Sequence, residues 1–159
     1  MSFMMNKQTN KGFTIIEVVL VLAIAALIFL IVFLAVPALQ RNQRDTQRRA
    51  DAARAIAQLQ NYQSNHNGTV PANQSEVDSF KAKYLSGNGS SFKDPLTGSD
   101  YDLTRKDGTS ADRPTDPGNM FYYSAATCQD GNMQATGNTR SIALLVFLEG
   151  SGDSFCQNN

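Results

Sequence analysis

The sequence has no tryptophan, a single histidine and only two cysteines, and each scarcity removes a class of function. A hydrolytic triad would have to be built on His66, and nothing resembling a nucleophile elbow lies near it. A lone histidine at a predicted helix end suits a capping or surface role. Cys128 and Cys156 stand too far apart for the short-spaced, four-ligand pattern of a zinc site. If the C-terminal part is exported they read as one disulfide, and otherwise as buried thiols. Net charge is absent as well, with 14 Lys and Arg against 14 Asp and Glu. That zero conceals an uneven distribution. Lys7 and Lys11 stand alone near the N-terminus, and five arginines face Asp45 and Asp51 between Arg41 and Arg54. From Ala55 onward seven basic residues meet eleven acidic ones. The C-terminal part therefore lacks the basic face of a nucleic-acid-binding domain. The arginine run (Arg41, Arg44, Arg48, Arg49, Arg54) could touch phosphates of lipid or DNA, but reads first as surface and inter-subunit pairing on a helix. No catalytic set, metal set or cofactor is expected.

At 159 residues the chain is one ordinary domain plus an appendage. From Val18 to Val36 every residue is apolar. Nineteen residues are enough to cross a bilayer core as a helix, which needs about 17–25, and too many for the core of a secretory signal, about 7–15. Counting positive charges leaves the orientation open, because lysines precede the run and arginines follow it. Glu17 sits at the start of this segment. A lone charge in hydrocarbon costs roughly 2.5–3.5 kcal/mol on insertion scales, so it calls for a partner or a function.

The context of that carboxylate is Lys11-Gly12-Phe13-Thr14-Ile15-Ile16-Glu17. This stretch resembles the class III signal of type IV pilins and the related secretion pseudopilins: a basic residue and Gly, the scissile bond, Phe, then Glu at the fifth position of the product, followed by a long apolar run. The resemblance implies a leader at 1–12, cut between Gly12 and Phe13 by a prepilin peptidase that also N-methylates Phe13. It implies a transmembrane and polymerisation helix at 13–36, an amphipathic helix at 37–66 and a globular head at 67–159 outside the cytoplasm. The short leader and N-terminal Phe look more like the type IVa branch. Glu17 lies one helical turn from Phe13, so the amine of one subunit can pair with the carboxylate of another and set the docking register. The partners implied are further copies of the chain, the peptidase, the assembly platform, the membrane before assembly, and a surface or DNA ligand of the filament. No enzyme activity is implied. A pseudopilin of a secretion machine is the alternative, and a monomeric membrane protein with a ligand-binding head is the third reading.

Pro37 interrupts the helical run and is expected to kink it; pilins often carry a proline in this region, where filament helices melt locally. Good helix formers then extend from about Ala38 to Asn65, which with the first part makes a rod of roughly 75–80 Å. Ala50, Ala53, Ile56, Ala57 and Tyr62, with Leu59 alongside, form the expected core face, and Arg44, Arg48, Asp51 and Arg54 fall mostly elsewhere. A second helix is expected over Asn73–Leu85, then a flexible connection through Ser91. The segment Phe92–Tyr101 is similar to a Pro/Gly turn common in pilins. Strands are expected near Tyr101–Thr104, Met120–Thr127 and Ser141–Glu149. The fold expected is α+β: a long N-terminal helix packed on a small antiparallel sheet, the pilin fold. Between Arg105 and Asn119 lie Asp107, Asp112 and Asp116, without EF-hand spacing; they read as a solvated loop rather than a calcium site.

Overall fold

The computed structural model describes residues 12–87, 92–107 and 112–159. Of the expected leader only Gly12 is among them; residues 88–91 of the expected flexible connection and 108–111 of the Asp-rich loop also lie outside. The chain divides into two compact units, one ending at Ala38 and one spanning Leu39–Asn159.

The first unit is the apolar part of α1, a helix assigned from Ile15 to Asn65 with Pro37 inside it. Among the described residues its side chains have almost nothing to pack against. Phe33 is 77% exposed and Leu34 72%. Nearly the whole run from Val18 to Val36 is open in this way, far beyond the apolar patches that isolated soluble domains tolerate. By length and composition this helix is apolar enough to cross a membrane.

The second unit begins with the remainder of α1, which buries Asp45, Arg48, Ala52, Ala55, Ile56 and Leu59. These positions recur at the helical spacing of three and four, but the stripe is not the expected one. Ile56 and Leu59 hold, whereas Ala50, Ala53 and Ala57 face outward. Alanines occupy several faces of this segment, so apolar spacing alone does not select one. The selection is made by a charged pair inside the stripe.

The expected second helix is α2, Gln74–Phe80, continued as a π-helix over Lys81–Leu85. Its start is fixed by a reciprocal cap. The Asn73 side chain accepts from the Glu76 amide at 2.9 Å, and the Glu76 carboxylate accepts from the Ala72 amide at 2.8 Å.

Six strands follow: β1 Asp102–Lys106, β2 Asn119–Ser124, β3 Ala126–Gln129, β4 Asn132–Ala135, β5 Ile142–Leu148 and β6 Asp153–Asn158. The main sheet has the order β1-β2-β5-β6, and β3-β4 form a separate hairpin. The sheet is mixed rather than wholly antiparallel, because β1 runs parallel to β2 with Leu103 opposite Met120. The chain between Lys106 and Asn119 is long enough for the crossover that a parallel pair requires. The strand expected over Met120–Thr127 is two strands. Ala125, at φ 53°, breaks the run, and the chain turns out of the main sheet. The β3-β4 turn is Asp130-Gly131, both at positive φ, the pair that a two-residue hairpin of this type favours. β6 was not expected; its polar alternation is weak, and it exists by pairing antiparallel with β5.

α1 and α2 cover one face of the sheet. Ala52, Ala55, Ile56 and Leu59 share a core with Val77, Phe80, Phe92, Tyr101, Leu103, Met120, Tyr122, Leu144 and Val146. The other face carries Tyr123, Ala143, Leu145 and Cys156 under the β3-β4 hairpin. Coverage on both sides explains why β5 reads as an unbroken apolar run rather than an alternating one. A disulfide between Cys128 on β3 and Cys156 on β6 staples the hairpin to the sheet.

Candidate functional site

Gly12, Phe13 and Thr14 precede the helix, and Thr14 begins it. Its side-chain oxygen accepts from the Glu17 amide at 3.3 Å. Glu17 Oε2 in return accepts from the Thr14 amide at 2.8 Å and from the Thr14 hydroxyl at 2.9 Å. This is a capping box. The Thr-x-x-Glu spacing that signals it is present in the sequence as Thr14-Ile15-Ile16-Glu17. The cap satisfies one carboxylate oxygen locally and leaves Oε1 with acceptor capacity. Phe13 is 90% exposed, and Phe13, Glu17, Val18, Val21 and Leu22 line one open, mostly apolar concavity. Pro37 lies beside Val32, Phe33 and Val36; having no N–H, it leaves the Phe33 carbonyl without its helical donor.

A second constellation, which sequence reasoning missed, sits within the head. Arg48 is fully buried, and its Nε donates to Asp94 Oδ2 at 2.6 Å. Its Nη1 meets Asp45 Oδ1 at 3.1 Å and Glu149 Oε1 at 2.6 Å. Arg44 grips Glu149 through two parallel bonds, Nε to Oε1 at 3.0 Å and Nη2 to Oε2 at 2.7 Å, the strong bidentate form. Asp45 accepts from the amides of Glu149 and Gly150 at 2.8 and 2.7 Å. Gly150 comes so close that a Cβ there would lie 2.9 Å from Asp45 Oδ2. Asp94 accepts from the Leu96 and Thr97 amides, each at 3.0 Å. Burial pushes the Asp94 carboxyl up, but the bonds from Arg48 and from the two amides outweigh it and hold it below its ordinary range. The bonds from Arg44, ahead of burial and of Arg48, do the same for Glu149. Arg48 feels the largest effect from burial, which alone would favour the neutral form; its carboxylate bonds more than offset that and keep it charged.

Arg48 and Arg44 are therefore clamps inside one subunit, not the surface and inter-subunit pairs expected. Arg54 turns inward too, donating to the Leu85 carbonyl at 2.7 Å and lying over the Phe92 ring. Arg49 lies over Phe155. The clamp joins α1 to the turn after Phe92 and to the β5-β6 turn. No helical pattern could have shown this, because the carboxylates come from positions 94 and 149.

His66 is exposed, stacked on Tyr62 with ring centroids 3.8 Å apart. In the Asp-rich segment, Asp107 pairs with Arg105 and Asp112 with Lys106. Among the described residues no three His, Cys, Asp or Glu side chains gather as a metal site would require.

The prokaryotic N-terminal methylation motif is matched over residues 7–33, the stretch that holds Gly12, Phe13 and Glu17 and most of the apolar run. No curated protein and no solved structure matches the chain. The motif, at the start of a long apolar helix, indicates a prepilin of the type IV pilin and pseudopilin type. It fits a membrane-anchored precursor, and proteins of that type are generally structural.

Proposed function

We propose that this chain is the structural subunit of a surface type IV pilus, used for adhesion, twitching motility or DNA uptake. Prepilin peptidase removes residues 1–12 and methylates the new amine of Phe13. The head stays outside the cytoplasm, and subunits pass from the membrane through the assembly platform into a filament. The observation that carries this reading is an apolar helix with no partner of its own, opened by a carboxylate that keeps one oxygen free beside Phe13. In the filament core that oxygen takes the amine of another subunit. At about 4 Å and an effective dielectric near 20, such a pair is worth about 4 kcal/mol, and a subunit displaced along the axis forfeits it. The apolar face moves from lipid to neighbouring helices and loses little. The disulfide-stapled hairpin supports a head that lies outside the cytoplasm, in an oxidising compartment.

The test is to shear filaments from cells and analyse the released polypeptide by mass spectrometry. The expected species starts at Phe13 and carries one added methyl group. Released filaments that retain residues 1–12, or that lack the polypeptide, would overturn the reading.

A further inference from the structure

We propose that the cleft between the end of α1 and the α2/π-helix segment is a carbohydrate-binding site that takes one pyranose ring. The cleft holds about 210 Å³, less than the roughly 300–1,000 Å³ that encloses a drug-sized ligand, so a single ring is the right scale. Its walls are aromatic. Tyr62 stacks on His66, meets Tyr84 edge-on at 5.8 Å and Phe80 edge-on at 5.9 Å, and Phe80 stacks on Tyr84 at 5.4 Å. Phe80 is buried, Tyr62 and Tyr84 are half-buried, and His66 is exposed. The cleft therefore has an aromatic floor and an accessible rim rather than a closed core.

The rim carries polar groups with capacity to spare. His66 Nδ1 lies 2.8 Å from the Tyr62 carbonyl. A carbonyl only accepts, so Nδ1 bears the proton, and Nε2 of the neutral ring is left as an acceptor. The Tyr62 hydroxyl makes no hydrogen bond among the described residues, and the Lys83 ammonium lies over the Tyr84 ring at 5.6 Å. Glu76 is locked in place by the α2 cap. A pyranose matches this set. Its axial C–H bonds are electropositive and sit on the negative face of an aromatic ring, while its hydroxyls both donate and accept.

The backbone adds an independent observation. The residues Lys83 and Tyr84 are presented by a π-helix, closed by the Ser86 amide bonding to the Lys81 carbonyl at 2.9 Å. Such turns are rare, are held at a cost, and occur frequently at functional sites. On this wider turn Lys83 and Tyr84 line the cleft together with Ser79 and Phe80 of α2. A nucleobase would also stack, but its phosphates would meet one lysine beside Glu76 and Asp78 on a head that is acidic overall. The sugar is the better fit. The site does not depend on polymerisation.

The test uses the processed chain in a phosphocholine detergent, which brings no sugar of its own. Methyl pyranosides of glucose, galactose and N-acetylglucosamine are titrated and followed by NMR. His66 is the only histidine, so its ring signals need no further assignment. We expect at least one glycoside to move the His66 signals and to receive saturation at its ring C–H protons. His66→Ala, on an exposed side chain, and Tyr84→Leu, which keeps apolar bulk, should each weaken binding by about fivefold, the scale of one aromatic contact. Arg140→Ala, on a separate surface cleft, should leave it unchanged. Near-UV spectra confirm that the variants are folded. The proposal is overturned if no glycoside moves the His66 signals, if binding ignores both cleft variants, or if an oligothymidylate moves them where the glycosides do not.

Discussion

Replacing Arg48 by Met keeps most of the volume at the centre of the clamp and removes the charge. Glu149 would still hold Arg44, and Asp45 would still accept two amides. Asp94 bears the loss, because it is fully buried and its other bonds come only from the Leu96 and Thr97 amides. Leaving one partner of a buried pair alone costs about 3–5 kcal/mol. The alternative is to protonate Asp94, at about 1.4 kcal/mol per pH unit, or about 4 kcal/mol at pH 7 for a carboxyl of ordinary value 3.8. Both routes give the same size. In a head of this length that is a fall in melting temperature of about 10–20 °C. All five tyrosines lie in the second unit, Leu39–Asn159, so thermal melts followed by near-UV dichroism report it without interference from the apolar helix. Adding Asp94→Asn should restore more than half of the loss, since the amide oxygen still serves both backbone donors.

The pH profile should change in parallel. Asp94 and Glu149 have depressed folded values, so the unfolded chain binds more protons in the acid range and stability rises with pH there. Their contribution is complete above the ordinary values of 3.8 and 4.5 and is lost as pH falls through the lower folded values. Arg48→Met should flatten that acid limb. A loss below about 1 kcal/mol, or no rescue by Asp94→Asn, would refute the reasoning and reduce the clamp to a surface ion pair.

Three further outcomes are expected. Glu17→Val should accumulate as processed protein in the membrane yet yield few filaments, measured in cells whose only copy is the variant; abundant normal filaments would mean that apolar packing alone sets the register. Thr14→Ala removes one half of the capping box and should cost the helix start about 1 kcal/mol, read as faster amide exchange at residues 14–18, with filament yield reduced less than in Glu17→Val. Reducing or removing the Cys128–Cys156 bond should destabilise the head by about 3.5 kcal/mol on the chain-entropy account, and peptide mapping of exported protein without reductant should find the two cysteines linked.

The N-terminal third was legible because its information is local. Composition over nineteen consecutive residues, one carboxylate, and the Gly12-Phe13 pair specify an apolar helix and its class without reference to any other part of the chain. The second helix was legible for the same reason, through Asn73 and the aromatic spacing that follows it. β5 was legible because an apolar run buried on both faces needs no alternation. What the tertiary structure alone decided depends on residues distant in sequence. The face that α1 turns inward is chosen by Asp94 and Glu149 reaching Arg48, and an arginine among other arginines on a helix gives no hint of being buried. β1 runs parallel to β2 through their pairing, Leu103 opposite Met120, which composition does not constrain. β6 exists as a strand through its pairing with β5, and the π-helix at Lys81–Leu85 has no side-chain signature of its own. Short-range patterns record what a segment can become; long-range charges and pairings select among those possibilities, because a buried charge without its partner costs more than any local preference can repay.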